Sequence, residues 1–147
     1  MTGKFVGGYF LSSIIVETHN SVIYESSHAE NCSKLAVKLL KKSSNEKRCT
    51  NELILSKEID YYYIMPVIDI IYDVSEKYHS AIIMNLAIGG DLYSFLSDVD
   101  HLDESIASQV IYAGLMALNY LHKNGICHRD VKPDNFLIED SNPENPK

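Results

Sequence analysis

The feature that most narrows the fold is a change of hydrophobic period partway along the chain. From Tyr9 to Met84 the apolar residues come in short runs, Tyr9–Val16, Ser21–Glu25, Leu35–Leu40, Val67–Val74 and Ser80–Met84. Their β-branched and aromatic content suits a pleated, half-buried surface, so each is predicted to be a strand. One helix is predicted between the third and fourth strands, where Thr50 and Asn51 can cap a run through Glu52, Leu53, Ile54 and Leu55 to Ile59. After Gly89-Gly90 the period lengthens. Asp91 is placed to cap a short helix carrying Leu92, Phe95 and Leu96 on one side. Glu104–Lys123 then repeats apolar positions at three- and four-residue steps until Asn124-Gly125 stops it. A run of strands broken by one helix and then followed by helices reads as an α+β chain.

The bulk composition excludes several functions. At 147 residues, 46% of them hydrophobic, the chain has enough apolar matter for a packed core of ordinary domain size. Its formal charge of -7 argues against a nucleic-acid partner, because phosphates are neutralised by a surplus of Lys and Arg on one face. The one dense basic run, Lys38, Lys41, Lys42, Lys47 and Arg48, reads as solvated. Cys32, Cys49 and Cys127 are odd in number and widely spaced, so they suggest neither a disulfide framework nor a zinc knuckle and suit a reducing compartment. No stretch approaches the roughly 18 unbroken apolar residues of a membrane-spanning helix, and no small-residue cleavage site follows the apolar run Phe5–Val16. No membrane partner is expected, and a cytoplasmic location is. The tail Glu139–Lys147, polar and with two prolines, reads as a loop or frayed end.

The chemistry is concentrated in His128-Arg129-Asp130-Val131-Lys132-Pro133-Asp134-Asn135-Phe136-Leu137. This run resembles the catalytic loop of protein kinases, H-R-D-x-x-x-x-N, with every defining position filled. The resemblance implies that Asp130 accepts the proton of the attacking hydroxyl and that Asn135 turns its amide oxygen to a magnesium ion. It implies further that Lys132 neutralises charge on the transferring phosphoryl group. The Lys-Pro pair marks the serine/threonine class in that family.

Upstream positions follow from the same resemblance. Leu35-Ala36-Val37-Lys38 stands where the family has its V-A-I-K strand, with Lys38 reaching the α- and β-phosphates of ATP and Ala36 packing over adenine. Glu52 would pair with that lysine, with Glu46 and Glu58 as other acids in reach of the role. Met84 would stand behind the adenine, the backbone of Asn85 and Ala87 would bond the base, and Asp91 would face the ribose. Leu137 would form the floor of the slot and Ile23 part of its roof. The implied fold is a kinase-like one: a five-stranded antiparallel N-lobe sheet with one helix, over residues 9–86, and over residues 87–147 the hinge, first helices and catalytic loop of an incomplete helical C-lobe. The implied partner is a protein substrate, and the implied ligands are ATP and magnesium.

Two departures temper that reading. Aligned on Tyr9 to Tyr24, the glycine positions of the family's phosphate-covering turn hold Val16, Thr18 and Ser21, and no glycine occurs between Gly8 and Gly89. Gly3, Gly7 and Gly8 lie about a strand too early to serve. The chain also ends at Lys147 before an Asp-Phe-Gly segment. These 147 residues alone are therefore expected to be inactive, and one apolar face of the Glu104–Lys123 helix is expected to seek a partner, a second copy or aggregation. The alternative is a pseudokinase-like or regulatory fragment that binds nucleotide or a partner without transferring phosphate.

Overall fold

The computed structural model describes residues 3–30, 33–42, 53, 56–99 and 101–139. They fall into two compact units, Met1–Asp60 with Pro66–Leu86, and Tyr61–Met65 with Ala87–Lys147.

The first unit is an antiparallel sheet of six strands, β1 (Lys4–Val6), β2 (Tyr9–Glu17), β3 (Ser21–His28), β4 (Lys34–Lys41), β5 (Val67–Tyr72) and β6 (Tyr78–Asn85), in the order β1-β2-β3-β4-β6-β5. The five predicted strands are all present, and the predicted count of five is corrected to six by β1. Its hairpin to β2 pairs Val6 with Tyr9 across Gly7-Gly8. Both glycines take positive φ, 53° and 85°, the backbone of a two-residue turn whose twist matches the flanking strands. A side chain at Gly7 would also run into Ile71 of β5. The fourth predicted strand stops two residues early, at Tyr72, because Asp73 adopts a φ of 51° and its N–H turns to the carbonyl of His79.

Strand alternation divides the sheet into two faces. Val22, Val37, Leu39, Ala81 and Ile83 occupy one face at 0–1% exposure, with Tyr24, Leu35 and Tyr78 around them. Register places Val22 opposite Leu39 and Leu39 opposite Ala81, so these side chains stack across neighbouring strands. Each fully buried Val, Leu or Ile among them stabilises the sheet by roughly 1.5–3 kcal/mol. Of the predicted helix after β4, Leu53 and residues 56–58 are helical, and Leu53 is 3% exposed. Asn51, Glu52, Ile54 and Leu55 lie outside the described residues.

The second unit is built on α1 (Leu92–Ser97) and α2 (Glu104–Lys123), followed by a single 3-10 turn at Pro133–Asn135. Asp91 caps α1, its carboxylate accepting from the Ser94 N–H at 2.8 Å, and Asp103 caps α2 through the Ser105 N–H. The stop at Asn124-Gly125 is a Schellman motif. Ile126 N–H bonds the Leu121 carbonyl and Gly125 N–H that of His122, with Gly125 at a φ of 73°. The segment Tyr61–Met65 rests on α2 through aromatic rings: Tyr61 stacks on Tyr120 at 4.4 Å and Tyr63 meets Tyr112 edge-on at 6.0 Å. Among the described residues, no helix is long and apolar enough to cross a membrane.

Candidate active site

The catalytic-loop residues lie on the irregular stretch between the C-terminus of α2 and the 3-10 turn. That turn forms because Pro133, with φ preset and no N–H to leave unsatisfied, begins it, and Asn135 N–H closes onto the Lys132 carbonyl at 3.0 Å. Asn135 is thereby carried back over Asp130. Its Nδ2 donates to the Asp130 carbonyl at 2.6 Å and to Asp130 Oδ2 at 3.0 Å. Lys132 Nζ reaches the same Oδ2 at 3.1 Å, and Asp130 N–H donates to His128 Nδ1 at 3.3 Å. Arg129, between them, holds a φ of 64°, a left-handed conformation that costs a non-glycine residue of the order of 1 kcal/mol and is kept where surrounding contacts impose it.

These contacts set the electrostatics. The bond from Asn135, and after it the bond and charge of Lys132, hold the Asp130 carboxyl below the ordinary aspartate range despite a small opposing effect of desolvation. Asp130 is therefore a solvent-accessible carboxylate across neutral pH. Both of these side-chain donors converge on the one oxygen, Oδ2.

The loop is anchored by its last residues. Phe136 lies against α2 at Gly114, where an added Cβ would stand 2.8 Å from the ring. The Phe136 carbonyl accepts from Leu92 N–H at 2.9 Å, and Gly89 and Gly90 exchange backbone bonds with Ile138 at 3.0 and 2.8 Å. Leu137 thus bridges to Asp91 in antiparallel fashion. Beneath this joint, Leu92, Phe95, Ile106, Val110, Ala113 and Phe136 help to line an apolar pocket of about 80 Å³. Leu137 also lines it, whereas the Asp130, Lys132 and Asn135 side chains do not.

In the sheet unit, four predicted residues share one face. Register pairs Ile23 with Lys38 and Lys38 with Ile82, and Ala36 with Met84. Directly opposed residues of an antiparallel sheet point the same way, so Ile23, Ala36, Lys38 and Met84 line the face opposite the buried cluster. Asn85 ends β6 and is exposed. Ala87 and Asp91 belong to the second unit, where the Ala87 carbonyl accepts from Gly90 N–H at 3.2 Å and both Asp91 carboxylate oxygens engage Ser94. Glu52 lies outside the described residues, as does Glu46.

Sequence reasoning passed over three contributors: His128 as an acceptor inside its own loop, Phe136 as the loop's wedge, and Gly114 as its seat. The available signal for the last was a glycine in the middle of a strong helix, which costs stability unless something packs against it.

Comparison with known proteins identifies the family. The family model described as protein kinase domain matches residues 12–146. A probable serine/threonine-protein kinase, pkgA, of Dictyostelium discoideum is 38% identical over 106 residues, covering 71% of this chain and 8% of that protein. The calcium/calmodulin-dependent protein kinase cmkA of Emericella nidulans is 36% identical over 107 residues, covering 71% of this chain and 25% of that protein. This chain therefore spans a quarter or less of these two relatives. Among solved structures, Rad53 residues 1–466 in complex with AMP-PNP aligns with a TM-score of 0.82 at 23% identity, over 95% of this chain and 37% of that one; at that identity the likeness speaks for the fold. With a family match over nearly its whole length and the H-R-D-x-x-x-x-N loop folded around Asp130, this chain belongs to the protein kinase domain family.

Proposed function

We propose that the protein carrying this chain is a serine/threonine protein kinase that moves the γ-phosphoryl group of ATP to a protein hydroxyl. The observation that carries the reading is the convergence of Asn135 and Lys132 on Asp130 Oδ2, at 3.0 and 3.1 Å. It leaves Oδ1 to orient the substrate hydroxyl and take its proton, a task that needs an ionised, accessible carboxylate. The Lys132 ammonium, 47% exposed, is placed to neutralise phosphoryl charge once substrate excludes water.

The residues fit a magnesium ion at one point. The Asn135 amide bonds Asp130 through Nδ2 in both contacts, which leaves Oδ1 as a hard oxygen donor of the kind magnesium takes alongside water and substrate phosphates. Among the described residues no three His, Cys, Asp or Glu side chains group to hold a metal by themselves. When bound, the ion would supply charge neutralisation at the phosphate oxygens. On the sheet face, Lys38 is assigned to the α- and β-phosphates with Glu52 as its partner, Ala36 and Ile23 to the base, and Met84 to the space behind it. The backbone of Asn85 and Ala87 is assigned to the base edge, Leu137 to the floor, and Asp91, whose carboxylate keeps lone pairs beyond those used in capping, to the ribose.

The serine/threonine kinases among its relatives support transfer over the alternative of a non-transferring, nucleotide-binding fragment. The test is γ-phosphate transfer to a protein acceptor by the product of the reading frame carrying this chain, with magnesium and ATP. Transfer is expected, with Asp130→Asn reduced at least about 10²-fold. Transfer equal in the two proteins would overturn the assignment.

A further inference from the structure

The hairpin between β2 and β3 stands where a kinase places its phosphate-covering turn, yet its polar groups are already engaged with one another. Thr18 N–H donates to the Ser21 carbonyl at 2.8 Å, and Ser21 N–H donates to Thr18 Oγ1 at 3.1 Å. The two hydroxyls lie 3.1 Å apart, and His19 Nδ1 is 3.0 Å from Asn20 Oδ1. A turn built from glycine leaves its N–H groups free to approach phosphate closely. Here two of them are spent inside the turn, one of them on a side chain that no glycine has.

A single residue of β4 ties this turn down. Lys41 Nζ donates to the Thr18 carbonyl at 2.8 Å and to Glu17 Oε1 at 2.9 Å, and Lys41 N–H bonds the Asn20 carbonyl at 2.9 Å. Three attachments from one residue thus hold both ends of the turn. The bond and charge of Lys41 also keep the Glu17 carboxyl below its ordinary range, so Glu17 is a carboxylate at neutral pH. Lys41 is only 22% exposed at its side chain, which makes it less a free surface lysine than a strut lying along the hairpin.

We propose that Lys41 is a positioning residue that clamps the β2–β3 turn in a self-bonded form, so that this chain gains less affinity from a nucleotide's phosphates than a glycine turn would give. The inference rests on the nucleotide-binding reading above. In physical terms, a phosphate must compete with Thr18 Oγ1 for the Ser21 N–H and must move a turn held at both ends, which offsets what the new bond returns.

The experiment compares ATP with magnesium against adenosine, titrated by calorimetry into the 147-residue chain and into Lys41→Met and Thr18→Val. Lys41→Met releases the strut, and Thr18→Val frees the Ser21 N–H while nearly preserving side-chain volume. Each is expected to raise the preference for ATP over adenosine, by about tenfold if one charge-assisted bond to phosphate is recovered. Adenosine binding serves as the control that the base site is folded. A preference unchanged in both variants overturns the proposal, and so does a preference that falls in Lys41→Met, which would make Lys41 itself a phosphate contact. If the wild-type chain binds neither ligand, the nucleotide-binding reading fails, and amide hydrogen exchange then decides the clamp alone. The Ser21 amide is expected to exchange at least about tenfold faster in Lys41→Met than in wild type, and equal rates would sink the clamp.

Discussion

The two units hold their candidate functional residues in opposite ways. In the sheet, Lys38 sits between Val37 and Leu39, both at 0% exposure, and its position is dictated by strands whose other face is a continuous buried cluster. In the second unit, Asp130, Lys132 and Asn135 are all exposed, and the described residues at 7% exposure or less are Leu92, Leu121 and Ile138 alone. There the geometry is held by hydrogen bonds inside the loop, by the proline at the start of the 3-10 turn and by the wedge of Phe136 on Gly114. Burial positions the lysine, whereas local bonding positions the carboxylate. Residues of the first kind couple to global stability, and those of the second couple to function with little effect on stability.

The largest expected effect follows from that contrast. Asp130→Asn, for which the proposed function expects a loss of at least about 10²-fold in transfer by the product of the reading frame carrying this chain, is expected to leave the denaturant midpoint of the chain nearly unchanged, because the side chain it replaces is 63% exposed. A large drop in the midpoint would mean that the loop, too, is held by the core. Next comes a matched pair of truncations. Leu39→Ala is expected to destabilise by about 2–5 kcal/mol through the cavity it opens, and Leu115→Ala, at a position 61% exposed on α2, by less than about 0.5 kcal/mol. Similar losses for the two in urea unfolding would break the comparison.

Gly114→Ala tests the joint between helix and loop. The helix gains up to about 1 kcal/mol in intrinsic propensity, yet the new methyl meets the Phe136 ring at 2.8 Å, an overpacking that costs about 1–3 kcal/mol. The expected result is a small net destabilisation accompanied by a larger loss of transfer, since Phe136 follows Asn135 directly. A stabilised variant with full activity would show that Phe136 does not seat the loop.

The smallest effect concerns pH. Hydrogen bonds and positive charge lower the carboxyls of Asp130, Asp103 and Glu17 relative to their ordinary values. A carboxyl lowered on folding contributes stability that is present above its unfolded pKa and is lost as pH falls through the folded one. These three therefore predict a flat stability from about pH 6 to 8 and a decline on acidification below the usual carboxylate range. Followed by circular dichroism, the decline should start no higher in pH in Asp130→Asn than in wild type.

The sequence by itself determined what short-range rules control. The five long strands, the helices Leu92–Ser97 and Glu104–Lys123 with the Asp91 cap of the first, the Asn124-Gly125 stop and the order His128, Arg129, Asp130, Asn135 could all be read because periodicity, capping and motif spacing are properties of contiguous residues, whereas the Asp103 cap was passed over. The strand β1 was equally local, and the sign of it was Gly7-Gly8 between two apolar pairs. Only the tertiary structure decided which strand face is buried, and so that Ile23, Ala36, Lys38 and Met84 lie together away from the core. It alone brought Phe136 to Gly114 across 22 residues and Lys41 to a turn more than 20 residues earlier. Those contacts join segments whose pairing is set by sheet register and helix packing, which depend on burying the whole apolar surface at once and leave no mark in any single stretch of chain.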